Sequence, residues 1–256
     1  MFLKSLKPKY SFLKCFNEYP FHKFTLNKMG VYINPITYQE FLLSFNNLPI
    51  DPYMNHEYGR DISVNKQQNK IHATRLRRFA KFNITIQPNH TYDIFYNDDL
   101  SFSQDVNDSR NKIRIFEPIE SKFLKEDWLL EFITQMMANS IINHKGVTKI
   151  KKAEISLHQV RQISYPGLDA FNSPEGVHRD GADFIVSALV MNRMNVSEGR
   201  SIIFNEYRDE IYNTILKDGE GIFQEDRKLW HYVTGIKSDG NYLGIRDILG
   251  LDIILK

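Results

Sequence analysis

The chain has 256 residues, with 33 Lys and Arg against 31 Asp and Glu; the formal charge of +2 demands no polyanionic partner, so a nucleic-acid track is not expected. Its apolar and charged content is that of a globular protein able to bury one sizeable core, expected as a single domain over 1–256. Cys15 is the one cysteine, which excludes a disulfide framework and a thiolate metal site and fits a reducing, cytoplasmic setting, while no run is apolar enough for a signal peptide or a membrane span.

Residues 1–90 read as a mixed N-terminal flanking region. Its lysine-rich start is followed by aromatic segments at Phe12–Phe24 and Tyr38–Phe45 that can pack on a core, the second broken by Pro49 and Pro52. Asn65–Asn69 reads as a loop or the start of a helix. Arg75, Arg77, Arg78 and Lys81 form a basic cluster, expected to be a solvated helix face. Residues 91–256 read as the core proper. There Trp128, Leu129, Phe132, Ile133, Met136 and Met137 recur at helical spacing and predict a helix over 125–144, stopped by Gly146 and packed on a sheet.

Beyond that helix the period changes to two. From Glu154 to Ser164, Ile155, Leu157, Gln159, Arg161 and Ile163 share one strand face, and Glu154, Ser156 and His158 the other. The face carrying Ile155, Leu157 and Arg161 is expected to point inward, with His158 structural or exposed. Phe184–Met191 is apolar on both faces, as in a strand covered on each side. A turn at Gly219–Gly221 precedes two further strands, Leu229–Ile236 and Tyr242–Ile254. Short strands after helices give an α+β chain with a mainly β core, a sandwich or barrel of jelly-roll type with flanking helices.

One constellation carries chemistry. Among the eight histidines only His178 has an acid two residues on, and in extended backbone His178 and Asp180 point the same way while Arg179 faces the other side. A His-x-Asp triplet alone arises readily by chance. Here it follows a glycine turn and precedes a long apolar strand, a second histidine, His231, and an arginine in the last strand, Arg246. Two imidazoles and a carboxylate on one face of a metal leave positions open, the arrangement of non-heme Fe(II) oxygenases.

The stretch Pro174-Glu175-Gly176-Val177-His178-Arg179-Asp180-Gly181-Ala182-Asp183-Phe184 closely resembles the signature of the bacterial Fe(II)/2-oxoglutarate dioxygenases that include the L-isoleucine 4-hydroxylase. The likeness continues in register through Asn192-Arg193, Asp226-Arg227, Trp230-His231 and Arg246-Asp247, clear over the C-terminal half and faint before it. The resemblance implies a double-stranded β-helix (jelly roll) with flanking N-terminal helices. It also implies Fe(II) on His178, Asp180 and His231, with 2-oxoglutarate and O2 as cosubstrates. The family has Gly-Gly where Glu198-Gly199 stands, Gly where Tyr232 stands and Pro where Gly235 stands. None of these departures removes a metal ligand, but Tyr232 is expected to shape the substrate pocket.

Arg246 is the candidate for the distal carboxylate of 2-oxoglutarate, because a guanidinium offers a two-pronged donor matched to a carboxylate; Gly244 and Gly250 on its strand face leave room. The plain alternative is a surface arginine paired with Asp247 or Asp252. Arg161 is a buried cation that needs an anion, either a substrate α-carboxylate or Asp183. Arg193, Asp226 and Arg227 read as a supporting network. The expected activity is hydroxylation of a free aliphatic L-amino acid, for which Arg161 and Asp183 offer one charge of each sign. The alternatives are the same chemistry on a peptide or protein, which would need a wide groove, and a jelly-roll sensor without turnover. Asp180 stands where a halogenase must leave a position vacant.

Overall fold

A computed structural model describes residues 1–9, 12–54, 74–103, 113–145, 150–173 and 175–256. Asn65–Asn69, Gly146 and Pro174 lie outside the described residues. The runs richest in Ile, Val, Leu and Phe become long strands because branched and aromatic side chains pack well on a pleated surface. In chain order the strands are β1 (Phe2–Leu6), β2 (Phe21–Thr25), β3 (Arg75–Ile86), β4 (Tyr92–Asn97), β5 (Ser101–Phe102), β6 (Arg114–Ile115), β7 (Lys152–Ser164), β8 (Phe184–Met194), β9 (Val196–Glu198), β10 (Arg200–Phe204), β11 (Glu210–Ile215), β12 (Glu220–Glu225), β13 (Trp230–Val233), β14 (Ile236–Ser238) and β15 (Gly244–Leu255). Among the described residues the longer helices are α1 (Pro35–Ser44) and α2 (Asp127–Asn143).

Among the described residues the largest sheet has eight strands in the order β1-β4-β3-β7-β15-β8-β12-β2, each pair antiparallel. A second sheet, β11-β10-β13, faces it. The first 90 residues, expected to flank the core, supply three strands of the large sheet, and β3 lies in its interior. The basic cluster Arg75–Lys81 is therefore strand and not a solvated helix face.

Both faces of the large sheet are covered. On one, Ile155, Leu157, Leu189, Leu249, Leu251 and Ile253 pack with α2 residues Trp128, Phe132, Ile133 and Met136 and with Phe41 and Phe45. On the other, Val160, Ala188, Val190 and Ile248 pack against Ile203 and Leu229 of the smaller sheet's side. This explains the double apolar pattern of β8. Its ladders to β15 and β12 both skip Ser187, a bulge that changes which face the following residues take.

α1 begins where Asn34 accepts the Ile36 N–H at 3.0 Å and Pro35 occupies the first turn, where no helical donor is lost. α2 holds polar residues that its apolar stripe does not explain. Gln135, Asn139 and Asn143, spaced by four, lie on one helix face and meet the backbone of the N-terminal segment. Their side-chain oxygens accept from the N–H groups of Lys9 (2.8 Å), Lys14 (2.9 Å) and Phe16 (2.7 Å). Gln135 and Asn143 donate back to the carbonyls of Lys9 and Lys14. The helix thus satisfies backbone groups of this N-terminal segment much as a neighbouring strand would. No described helix is long and apolar enough to cross a membrane.

Candidate metal and substrate site

His178 and His231 face each other across an isolated antiparallel bridge, with backbone bonds of 3.0 and 2.9 Å in the two directions. Such a bridge sets the two imidazoles side by side, their ring centroids 4.3 Å apart. Asp180 closes the group: its Oδ1 is 3.5 Å from His178 Nε2 and its Oδ2 3.4 Å from His231 Nε2. One donor atom from each of the three lies within 4.8 Å of the others. Arg179 turns away and stacks on Trp230, 4.3 Å from the ring centroid.

The turn carrying Asp180 is held from beneath. Asp226, fully buried, accepts through Oδ2 from the backbone N–H groups of Asp180 (2.9 Å), Gly181 (2.7 Å) and Ala182 (3.3 Å), and its Oδ1 lies 3.8 Å from His231 Nδ1. Gly181 takes φ 84°, which only glycine adopts without strain. Burial and the neighbouring Asp180 carboxylate push Asp226 up to about 8, a shift that a cation beside Asp180 would oppose. His178 Nδ1 bonds the Gly176 carbonyl at 2.8 Å, so Nδ1 carries the proton and Nε2 is left for a metal. Burial alone would lower the His178 pKa. The adjacent Asp180 and Glu175 carboxylates outweigh it and raise the pKa to about 9, so the pocket favours positive charge where a metal would sit.

Arg246 is fully buried, with one bond from Nη1 to Gln162 Oε1 at 2.9 Å, and its Nε and Nη2 have no partner among the described residues. Burial pulls its pKa down to about 9, with Arg193 adding repulsion. The surface-arginine alternative fails because Asp247 and Asp252 are engaged elsewhere. A buried guanidinium with unmet donors fits an anionic ligand, and two imidazoles with a carboxylate fit Fe(II).

Three sequence expectations do not survive. Arg161 lies on the face turned toward the helices, where its Nε and Nη2 meet Asp247 Oδ1 and Oδ2 at 2.6 and 2.8 Å and its Nη1 meets Asn46 at 2.6 Å. Ile155 and Leu157 do mark a buried face, but the sheet has two. Asp183 sits at a strand end, 2.8 Å from Arg227 and accepting the Leu255 N–H at 2.7 Å. Tyr232 follows His231 in a strand, so it takes the opposite face and does not line the cavity.

That cavity, about 110 Å³, joins the triad to the other face of β7. Its lining includes His158, Val160, Ile248, Gly250 and Asp252 together with Arg75, Arg77 and Arg114. His158, expected to be structural or exposed, is buried here, with Nε2 3.0 Å from Asp252 Oδ2 and Nδ1 bonded to Arg77. Period two in Arg75-Leu76-Arg77 was the available signal for these arginines. The charge of the segment obscured it.

The family model of the 2OG-Fe dioxygenases matches residues 43–252. The L-isoleucine-4-hydroxylase of Bacillus thuringiensis is 27% identical over 177 residues, 68% of this chain and 72% of that protein. The crystal structure of IDO from Bacillus thuringiensis superposes with a TM-score of 0.72 at 20% identity, covering 93% of this chain and 94% of that one. A BsmA homologue from Methylobium petroleophilum gives 0.71 at 18% identity over 93% and 89%. The chain belongs to the 2OG-Fe dioxygenase family, oxidoreductases that use Fe(II), 2-oxoglutarate and O2.

Proposed function

We propose that the protein hydroxylates an unactivated C–H bond of a free, aliphatic L-amino acid, and that its two facing sheets are the halves of a double-stranded β-helix. In this reading His178, Asp180 and His231 hold Fe(II), and Arg246 holds the distal carboxylate of 2-oxoglutarate. The observation that carries the reading is the small cavity: about 110 Å³, lined by both the triad and guanidinium groups. An engineered protein cavity of about 150 Å³ accepts benzene, so this space suits a small group with an anionic end. The related L-isoleucine-4-hydroxylase supports the substrate class. The lone, exposed Cys15 supports a cytoplasmic setting.

Iron, 2-oxoglutarate and O2 together supply the oxidant: the substrate C–H becomes C–OH, while 2-oxoglutarate gives succinate and CO2. The protein's own residues supply position. Asp226 fixes the turn bearing Asp180, the Gly176 carbonyl fixes the His178 ring, and Gln162 holds the Arg246 guanidinium. Val160, Val186, Val233 and Ile248 give the cavity apolar walls that exclude water from the reacting carbon. The test is succinate formation by Fe(II)-loaded protein across the proteinogenic amino acids, with mass spectrometry of the product. An aliphatic amino acid should trigger succinate and gain one oxygen atom. Succinate triggered by peptides alone would reject the reading.

A further inference from the structure

We infer that Arg77, which lines the same cavity as the metal triad, is the anchor for the substrate's carboxylate. This rests on the reading of the substrate as a free amino acid and assigns the role that Arg161 cannot fill.

Arg75, Arg77 and Arg114 all line the cavity; Arg75 and Arg114 are buried and Arg77 nearly so. The carboxylate set among them is Asp51, and Arg75 already engages it, with Nε and Nη2 each 2.9 Å from Oδ2. Tyr53 N–H takes Asp51 Oδ1 at 3.0 Å. Arg77 reaches Asp51 Oδ2 only at 3.9 Å, outside hydrogen-bond range. Its remaining polar contact is His158 Nδ1, a neutral acceptor, since burial holds the His158 pKa well below its usual value. Its Nε has no partner among the described residues.

The guanidinium is nevertheless fixed in place. It lies 4.2 Å from the Phe116 ring centroid and 5.7 Å from that of Phe102, and His158 is in turn fixed by Asp252 at 3.0 Å. Its side chain is only 10% exposed. A cation so desolvated is costly unless a ligand completes it: the carboxylates that favour it, Asp51 and Asp252, are already hydrogen-bonded to Arg75 and His158, and burial lowers its pKa to about 10. A carboxylate matches the planar donors of a guanidinium better than any neutral group.

The strand register separates this anchor from the cosubstrate clamp. Arg77 pairs with Val160, which pairs with Ile248, whereas Arg246 pairs with Gln162 and lies two strands from Arg77. Two guanidiniums on different strands therefore serve two different anions, and the triad borders the same cavity as Arg77.

The test compares the amino acid found to trigger turnover with its α-carboxamide, on wild type, Arg77→Gln and Arg77→Lys. Binding is read by anaerobic calorimetry on the Fe(II)·2-oxoglutarate complex, and turnover by succinate. Wild type should favour the acid over the amide by on the order of 10- to 100-fold. Arg77→Gln should bring that preference close to unity, and Arg77→Lys should retain part of it because charge remains while the fork is lost. The dissociation constant for 2-oxoglutarate should stay within about twofold, since Arg246 is remote, and the circular dichroism spectrum separately certifies that each variant is folded. If Arg77→Gln fails this check, Arg77→Lys carries the comparison.

An undiminished acid preference in the folded variant overturns the proposal, and so does weakened 2-oxoglutarate binding, which would assign Arg77 to the cosubstrate. If only other carboxylates, such as N-acylated or peptidic ones, trigger turnover and depend on Arg77, the amino-acid reading falls and the anchor stands. If only uncharged compounds trigger it, both fall.

Discussion

At the scale of single residues, the site divides into groups that would bind iron and groups that hold those groups still. His178→Ala, Asp180→Ala and His231→Ala should each abolish 2-oxoglutarate turnover and metal retention, with circular dichroism unchanged; a folded variant with normal turnover removes that residue from the site. Arg246→Lys should raise the apparent Michaelis constant for 2-oxoglutarate by on the order of 10- to 100-fold, a loss of roughly 1.5–3 kcal/mol for a charged hydrogen bond. An unchanged constant would rule out the carboxylate role. These residues were legible in the sequence because their pattern follows from local geometry: extended backbone puts residues two apart on one side, and glycines flank Arg246 on its face. Glu198 was visible as a departure from the family pattern, but its meaning was not. It takes φ 60°, a conformation costing roughly 1 kcal/mol outside glycine.

The element scale is where sequence reasoning reached its limit. Period two in β7 separates two sets of residues correctly, yet it cannot tell which set meets the helices when both faces are covered. Arg161 and His158 exchanged their expected places for that reason. Arg161→Gln should therefore act on stability, leaving Asp247 buried beside a lost cation, with a cost of about 3–5 kcal/mol read from the denaturant midpoint. A Michaelis constant for substrate that moved while the midpoint held would contradict this placement. The helix α2 was legible from its apolar stripe, but the Gln135, Asn139 and Asn143 ladder was not, because its partner is backbone and backbone has no sequence signature. Asn139→Ala strands the Lys14 N–H. It should cost about 1–3 kcal/mol and speed proteolysis within residues 7–18; equal cleavage rates would show that the ladder does not hold the segment.

For the molecule as a whole, acid tolerance should turn on a group outside the triad. His22 of β2 is buried between the rings of Phe16 and Phe223, with centroids 5.8 and 5.4 Å away, and burial with nearby Lys14 lowers its pKa to about 4. Because the folded pKa is below the unfolded value of 6.5, this histidine contributes nothing unfavourable above pH 6.5, and stability falls as pH drops from there toward 4. The full loss, reached below pH 4, is on the order of 3–4 kcal/mol. His22→Phe should move the acid-unfolding midpoint to lower pH, and an unmoved midpoint would show that other groups govern it. The strand order has a kinetic consequence of its own. β1 and β2, the first strands to leave a ribosome, form the two outer edges of the large sheet, while β15, the last, lies between β7 and β8 in its interior. Neither edge has its final support until that last strand inserts. Closing the sheet therefore waits on β15, through contacts of high sequence separation, and the exposed β7 and β8 edges are the species a chaperone would meet in the interval.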